Sequence, residues 1–257
     1  MVWTRRVILK SPQEIAIMRE AGRINALALD AVRKAIRPGV TTAELDAIAE
    51  EVIRSHGAKP AFKGYPGPYP YPATITVSIN DELVHGIPSP KRVLKEGDIV
   101  SVDCGTVYQG FIADSAFSMG VGEISPLAQK LLRVTEEALY KGIEKLRPGN
   151  RIGDVSWAIQ QHVESNGFYV TREYTGHGVG RSMHEFPMVP NYGRPGQGLE
   201  IQPGLTVALE PMVLVGTPRT KVKPDGWTVV SADGSLTAHF EHTVAVTPAG
   251  PVILTQL

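Results

Sequence analysis

The sequence contains a single cysteine, Cys104, among its 257 residues. One cysteine cannot form an internal disulfide or a cysteine-rich zinc site, so nothing points to an oxidising compartment. Acidic and basic residues number 26 each, and this balance leaves no basic excess with which to bind a nucleic acid backbone. We therefore expect a cytoplasmic protein without specific affinity for nucleic acids.

Long apolar runs are absent as well. No stretch approaches the roughly 18 apolar residues of a membrane-spanning helix. The short run Val7-Ile8-Leu9 near the N-terminus falls far below the roughly 7 to 15 residues of a signal-peptide core. With 42% hydrophobic and 20% charged residues the composition is that of a globular protein, and we expect neither a targeting signal nor a membrane anchor.

A pair of helices is predicted twice along the chain. The first pair begins at two capping boxes, Ser11 to Glu14 and Thr41 to Glu44. The second pair begins at Ser125 and at about Asp154. A β-rich stretch follows each pair, and this repeated order predicts an internal duplication. We expect an α/β fold in one domain over 1–257, whose related halves, about 11–120 and 125–250, face a shared site.

Four carboxylates stand in apolar, strand-like surroundings. Asp103 and Asp114 lie on opposite arms of a predicted hairpin that turns at Gln109-Gly110. Glu210 and Glu241 lie in similar runs of the second half, and we expect Asp103 and Glu210 to end their strands. Buried carboxylates need a cation or a network of donors, and four at one place would repel strongly. Two divalent cations would neutralise them.

His177 lies between two glycines in the run TGHGVG. The glycines leave its imidazole unobstructed. A histidine in such a run is on its own more often structural, but together with four carboxylates it completes an oxygen-rich set that suits Mn, Fe, Co or Zn. A phosphate-binding loop is the competing interpretation, and the run lacks the glycine spacing and the lysine of such loops.

The segment 60–72, PAFKGYPGPYPYP, is too rich in proline for a helix or a central strand. We predict a rigid loop with three tyrosines. Such a loop is either a plain connector or the wall of an apolar pocket, and the sequence leaves both interpretations open.

Taken together, these motifs resemble those of the type I methionine aminopeptidases, which have the pita-bread fold. The resemblance covers nearly the whole chain. It rests on the two aspartates and on the runs VHGIP at 84–88, TGHGVGRSMHEFP at 175–187, EPM at 210–212, DGWT at 225–228 and FEHT at 240–243. It implies two pseudo-symmetric αβ halves with a curved antiparallel sheet flanked by helices.

The resemblance also implies the roles of the site residues. Two divalent metal ions would have five ligands: Asp103, Asp114, His177, Glu210 and Glu241. Asp114 and Glu241 would bridge the two ions. His85 and His184 would bind the substrate and act in catalysis, His184 near the scissile carbonyl and His85 near the peptide nitrogen, and Glu210 would also transfer a proton.

A methionine pocket is implied around Tyr65, Phe62 and Trp227. Two lining positions depart from the bacterial pattern. Thr76 stands where a cysteine is common, and Met183 stands where an aromatic residue is common. We expect these departures to affect the shape of the pocket more than the metal site.

The implied activity is removal of the initiator methionine from nascent proteins whose second residue is small. The expected partners are N-terminal Met peptides and, during synthesis, the ribosome, and we expect a monomer. Two alternatives remain: a proline-directed aminopeptidase of the same fold, and a metal-free member that only binds partners. The presence of all five ligand positions argues against the second.

Overall fold

The computed structural model describes residues 6–257. Residues 1–5, part of the N-terminal segment in which we expect no targeting signal, lie outside the described residues. The helices are α1 Pro12–Ala35, α2 Thr42–Ser55, α3 Pro126–Lys145 and α4 Ile152–Ser165. The strands of the first half are β1 Lys59–Pro60, β2 Ile75–Ile79, β3 Glu82–Val84, β4 Ile99–Tyr108 and β5 Phe111–Gly120. Those of the second half are β6 Tyr169–Val170, β7 Thr175–Gly178, β8 Glu185–Pro190, β9 Thr206–Leu209, β10 Met212–Leu214, β11 Thr220–Val222, β12 Val229–Ser231, β13 Thr237–His239, β14 His242–Thr247 and β15 Gly250–Ile253.

Local capping signals place the helices as predicted. Ser11 and Thr41 cap α1 and α2, and each forms a complete capping box with a glutamate three residues later. Ser125 caps α3. α4 begins at Ile152, two residues before the expected start at about Asp154. Asp154 is the third helical residue, and its carboxylate accepts a hydrogen bond of 2.7 Å from the backbone N–H of Arg151.

The predicted hairpin is confirmed in β4 and β5. The two strands pair antiparallel over their full length and turn at Gln109-Gly110. Asp103 does not end its strand, contrary to expectation, because β4 continues for five more residues and pairs with β5 up to the turn. Glu210 directly follows β9, as expected. The two aspartates therefore project from the middle of a rigid ladder rather than from a loop.

The two halves meet where their carboxylates lie. Ala116 of β5 forms an antiparallel bridge with Glu241, whose backbone N–H donates to the Ala116 carbonyl over 2.9 Å. The hydroxyl of Thr243 accepts from the N–H of Asp114 and donates to its carbonyl, both over 2.8 Å. These bonds fix the position of Asp114 relative to Glu241.

Helices cover the sheets and complete the core. α1 packs against β4 and β5, and α3 packs against α4. Asn25 of α1 is fully buried and donates to the carbonyl of Cys104, which fastens this helix to the hairpin beside Asp103. Among residues 6–257, no helix is both long and apolar enough to cross a membrane.

Candidate active site

One cavity of about 370 Å³ contains every site residue predicted from the sequence. We call the part lined by Asp103, Asp114, His177, Glu210 and Glu241 its polar end, and His85 and His184 line the cavity as well. Its other walls include Phe62, Tyr65, Thr76, Met183 and Trp227. Further lining residues, which were not predicted from the sequence, include Tyr71, Tyr174, Met188 and Met212. Met212 stands in the run EPM and Tyr71 in the proline-rich loop, so both lay within motifs already recognised.

A tight group of possible metal ligands lies at the polar end. Asp114, His177 and Glu241 each offer one ligand atom, and these atoms lie within 4.8 Å of one another. Nε2 of His177 is 3.4 Å from Oε1 of Glu210. Asp103 lies on β4, beside the strand that carries Asp114, and lines the same cavity. The fold thus brings together the five residues that the sequence singled out.

Burial and mutual repulsion make these carboxylates difficult to ionise. Burial raises the pKa of Asp103 to about 7. Burial, followed by the charges of neighbouring carboxylates, raises the pKa of Asp114 and Glu241 well above the ordinary range. Burial likewise raises the pKa of Glu210, with the charge of Asp103 acting in the same direction. Burial lowers the pKa of His177 to about 3, so its imidazole is neutral and free to act as a ligand.

Three carboxylate oxygens of this group are buried without a hydrogen-bond partner among residues 6–257. They are Oδ1 of Asp103, Oδ1 of Asp114 and Oε1 of Glu241. Within residues 6–257, no lysine or arginine forms an ion pair with any of these carboxylates. Uncompensated buried acids are unfavourable, and a divalent cation would both neutralise them and use the orphaned oxygens. The residues therefore fit a metal site.

His239 is a buried neighbour of this group that sequence reasoning missed. Its Nε2 has no hydrogen-bond partner in the part of the chain that the structure describes, and it lies 3.8 Å from Oε2 of Glu210 and 3.7 Å from Oε2 of Glu241. Burial lowers its pKa to about 3, so the ring is neutral. His239 stands two residues before Glu241 in an extended run, and residues at that spacing share one face. That alternation could have identified it.

The two predicted substrate-site histidines lie in different surroundings. Nδ1 of His184 is 2.6 Å from the hydroxyl of Tyr65, and burial lowers the His184 pKa to about 4. His85 has a left-handed backbone with φ of 62°, and its ring meets the edges of Tyr174 and Trp227. Burial lowers the pKa of His85 to about 4 as well. Both rings are therefore neutral at pH 7.

The proline-rich loop forms part of the cavity wall, so the pocket-wall interpretation is confirmed for Tyr65 and Tyr71. Tyr69 is 42% exposed and supports Trp227 from outside by an edge contact, while its hydroxyl donates to the Asp225 carbonyl over 2.9 Å. Any side chain at Gly67 would overlap the Trp227 ring. The loop and this tryptophan are thus packed together as one surface.

Comparison with known proteins agrees with this geometry. The model of metallopeptidase family M24 matches residues 16–248. A methionine aminopeptidase of Clostridium perfringens is 53% identical over 98% of this chain and 99% of its own length. The crystal structure of a methionine aminopeptidase from Thermotoga maritima is 50% identical, with a TM-score of 0.96, and covers 98% of this chain and 100% of its own.

A prolidase from Pyrococcus furiosus gives a weaker match. It is 24% identical with a TM-score of 0.78, and the match covers 97% of this chain and 66% of the prolidase. At that identity the likeness concerns the fold alone, which is the pita-bread fold expected from the sequence. The family model over most of the chain and the identity of about half over its full length lead to one assignment: the chain belongs to metallopeptidase family M24.

Proposed function

We propose that this chain is a methionine aminopeptidase that removes the N-terminal methionine of peptides and nascent proteins when the second residue is small. The observation that carries the proposal is one cavity in which a buried group of carboxylates and imidazole adjoins an aromatic and thioether wall. The polar end is suited to hydrolysis of a peptide bond and the apolar wall to an unbranched side chain.

The metal site is proposed to hold two divalent ions on Asp103, Asp114, His177, Glu210 and Glu241. An oxygen-rich donor set with one imidazole suits Mn, Fe, Co or Zn. Such ions lower the pKa of water toward neutrality and polarise a peptide carbonyl when they are bound. Four carboxylates around two dications leave the site close to neutral, which makes ionisation of these buried acids possible.

The histidines are proposed to act directly on the substrate. A neutral His184 donates from Nε2 to the carbonyl oxygen, where negative charge develops, while the Tyr65 hydroxyl holds Nδ1. His85 contacts the peptide nitrogen. Glu210, which lines the cavity beside His177, carries a proton to the leaving amine.

The methionine side chain is proposed to occupy the apolar end of the cavity. Phe62, Tyr65 and Trp227 supply aromatic faces, and Met183 supplies a flexible thioether. Thr76 lies on β2 opposite Asp103 of β4, so it stands where the pocket meets the metal ligands. Only a small residue fits in the second position of the substrate, because the two histidines and the proposed metal ligands crowd the cavity beside the metal site.

A competition assay tests the proposed specificity. Met-Ala-x, Leu-Ala-x and Ala-Pro-x peptides are offered at equal concentration to the metal-loaded protein, and we expect Met-Ala-x to be cleaved fastest. Met-Gly-x and Met-Ser-x should follow, whereas a Leu, Lys or Phe in second place should slow cleavage severely. Preference for Ala-Pro-x would favour the proline-directed alternative, and equal rates on Met and Leu would contradict a methionine pocket.

The relatives favour a methionine aminopeptidase over the proline-directed alternative. The Clostridium perfringens and Thermotoga maritima proteins, both named methionine aminopeptidases, share half of the sequence, and the prolidase shares 24%.

Four features of this chain remain predictions: a single catalytic domain with halves of about 11–120 and 125–250, a monomeric state, a cytoplasmic location and contact with the ribosome. Sedimentation analysis would test the monomeric state, and co-pelleting with ribosomes would test the contact with the ribosome.

A further inference from the structure

Lys10 and Glu185 form a buried ion pair that includes none of the proposed metal ligands. Each side chain is only 3% exposed. Lys10 directly precedes Ser11, the cap of α1, and Glu185 begins β8 directly after His184. The pair therefore joins the start of the described chain to the segment that carries a substrate-site histidine.

The Glu185 carboxylate organises the turn before it. Its Oε1 accepts hydrogen bonds from the backbone N–H of Arg181, over 2.8 Å, and of Ser182, over 3.2 Å. Its other oxygen receives the Lys10 ammonium, which also donates to the Ile8 carbonyl over 2.9 Å. A side chain at Gly180 would overlap both Lys10 and Glu185, so this glycine is what allows the pair to lie against the turn.

The same turn delivers two residues into the cavity. Met183 and His184 line it, while Glu185, next in the chain, points into the protein. A buried ion pair contributes little net stability compared with apolar residues of the same volume, because desolvation offsets the attraction. Its effect on conformation is greater, because charged groups that must meet in the interior allow few alternative arrangements of the turn.

We propose that Lys10 and Glu185 are positioning residues for His184 and Met183. The proposal rests on the function proposed above for His184. With Lys10 removed, the Glu185 carboxylate is left buried and uncompensated, and it would turn toward solvent or attract water. Either response releases the N–H groups of Arg181 and Ser182 and moves the following histidine.

A second ion pair on the same turn provides a matched control. Arg181 lies 3.4 Å from Glu14 of α1, but their side chains are 65% and 33% exposed. An exposed pair of this kind contributes little. Arg181→Gln removes it and leaves the backbone N–H at position 181 in place.

The test compares Lys10→Met, Glu185→Gln, the double variant and Arg181→Gln as metal-loaded proteins. We expect Lys10→Met to lower kcat on Met-Ala-x by about tenfold with a smaller change in KM and an unchanged metal content. Glu185→Gln should act in the same direction, because it leaves the ammonium unpaired. The double variant should recover most of kcat, since the amide oxygen at position 185 still accepts from the turn. Arg181→Gln should match the wild type.

A second readout does not depend on activity. The ring signals of His184, assigned by their loss in His184→Ala, should shift in the Lys10→Met spectrum and not in the Arg181→Gln spectrum. If the wild type cleaves no Met peptide, the proposed function fails and this spectrum still decides the positioning role. The proposal would be overturned if folded Lys10→Met showed unchanged His184 signals and a kcat within about twofold of the wild type. If Lys10→Met does not fold, the same result in folded Glu185→Gln would overturn it.

Discussion

The hydroxyl of Tyr65 lies 2.6 Å from Nδ1 of His184, and the two rings meet edge to face with their centroids 5.5 Å apart. Tyr65 therefore does more than line the proposed methionine pocket. A phenol that donates to Nδ1 places the proton of the neutral imidazole on Nε2, the nitrogen proposed to face the substrate. The proline-rich loop and the turn 180–184 are joined at this bond.

Tyr65→Phe should reduce kcat/KM by about fivefold, corresponding to the roughly 1 kcal/mol of one neutral hydrogen bond. The ring is retained, so the pocket keeps its apolar surface and the change should appear mainly in kcat. Steady-state kinetics on a Met-Ala-x peptide measures it. Tyr69→Phe is the control, because the Tyr69 hydroxyl bonds the Asp225 carbonyl outside the cavity. An equal loss in both variants would show that the effect is not specific to His184.

His184→Ala should lower kcat by about a hundredfold, the scale of one lost oxyanion donor. Metal content should stay the same, because His184 is not proposed as a ligand. Kinetics together with elemental analysis of the purified variant checks both points. Loss of metal from this variant would make His184 a ligand instead. His56→Ala, at the exposed end of α2, should change neither quantity.

Binding of metal should release protons at neutral pH. In the metal-free protein, burial raises the pKa of Asp103 to about 7 and holds those of Asp114 and Glu241 above their ordinary values, so these groups carry protons that a cation must displace. His177, with a pKa lowered to about 3 by burial, has none to lose. The apparent affinity for the metal should therefore increase with pH, and it should be weak at pH values below about 7.

Calorimetric titration with Mn²⁺ in two buffers of different ionisation enthalpy measures the protons released. Asp114→Asn should reduce both the release and the affinity. A binding enthalpy that does not depend on the buffer would contradict the protonated group of carboxylates.

Met183→Ala should raise KM for Met-Ala-x by about tenfold with a smaller effect on kcat. Met183 is 6% exposed, and its side chain lies beside Phe62 over Gly105, so truncation removes contact area from the pocket. Loss of about 1.5 kcal/mol of apolar contact corresponds to that factor. Leu127→Ala, on an exposed position of α3, is the control. A loss confined to kcat would instead indicate that Met183 acts through the neighbouring His184.

Local chemistry made much of the fold predictable. Capping residues such as Ser11 and Thr41 act within one helical turn, so their effect can be recognised in the sequence without knowledge of the fold. The same holds for the Gln109-Gly110 turn. Asp103 was misplaced at a strand end because the length of β4 depends on pairing with β5 and β2, which no short segment encodes.

Some residues of the candidate site could likewise be recognised in the sequence, whereas others became evident only in the folded chain. Asp114 and Glu241 could be recognised because an acid in an apolar strand is unusual whatever surrounds it. The spacing of His239 from Glu241 indicates a shared face, but only the folded chain shows that its ring also lies near the carboxylate of Glu210. Tyr65 was expected as a wall residue, and only the fold shows that its hydroxyl meets His184.

The sequence by itself determined the helix starts, the hairpin, the acids that require a cation and the resemblance that relates them. Tertiary structure alone decided which groups share a cavity and which support it from behind. Lys10 and Glu185 illustrate the difference: they stand 175 residues apart, and nothing in the sequence indicates that they form a pair. Their pairing depends on burial, because a charge removed from water is strongly destabilising unless an opposite charge lies beside it. Burial is a property of the folded chain and not of either residue.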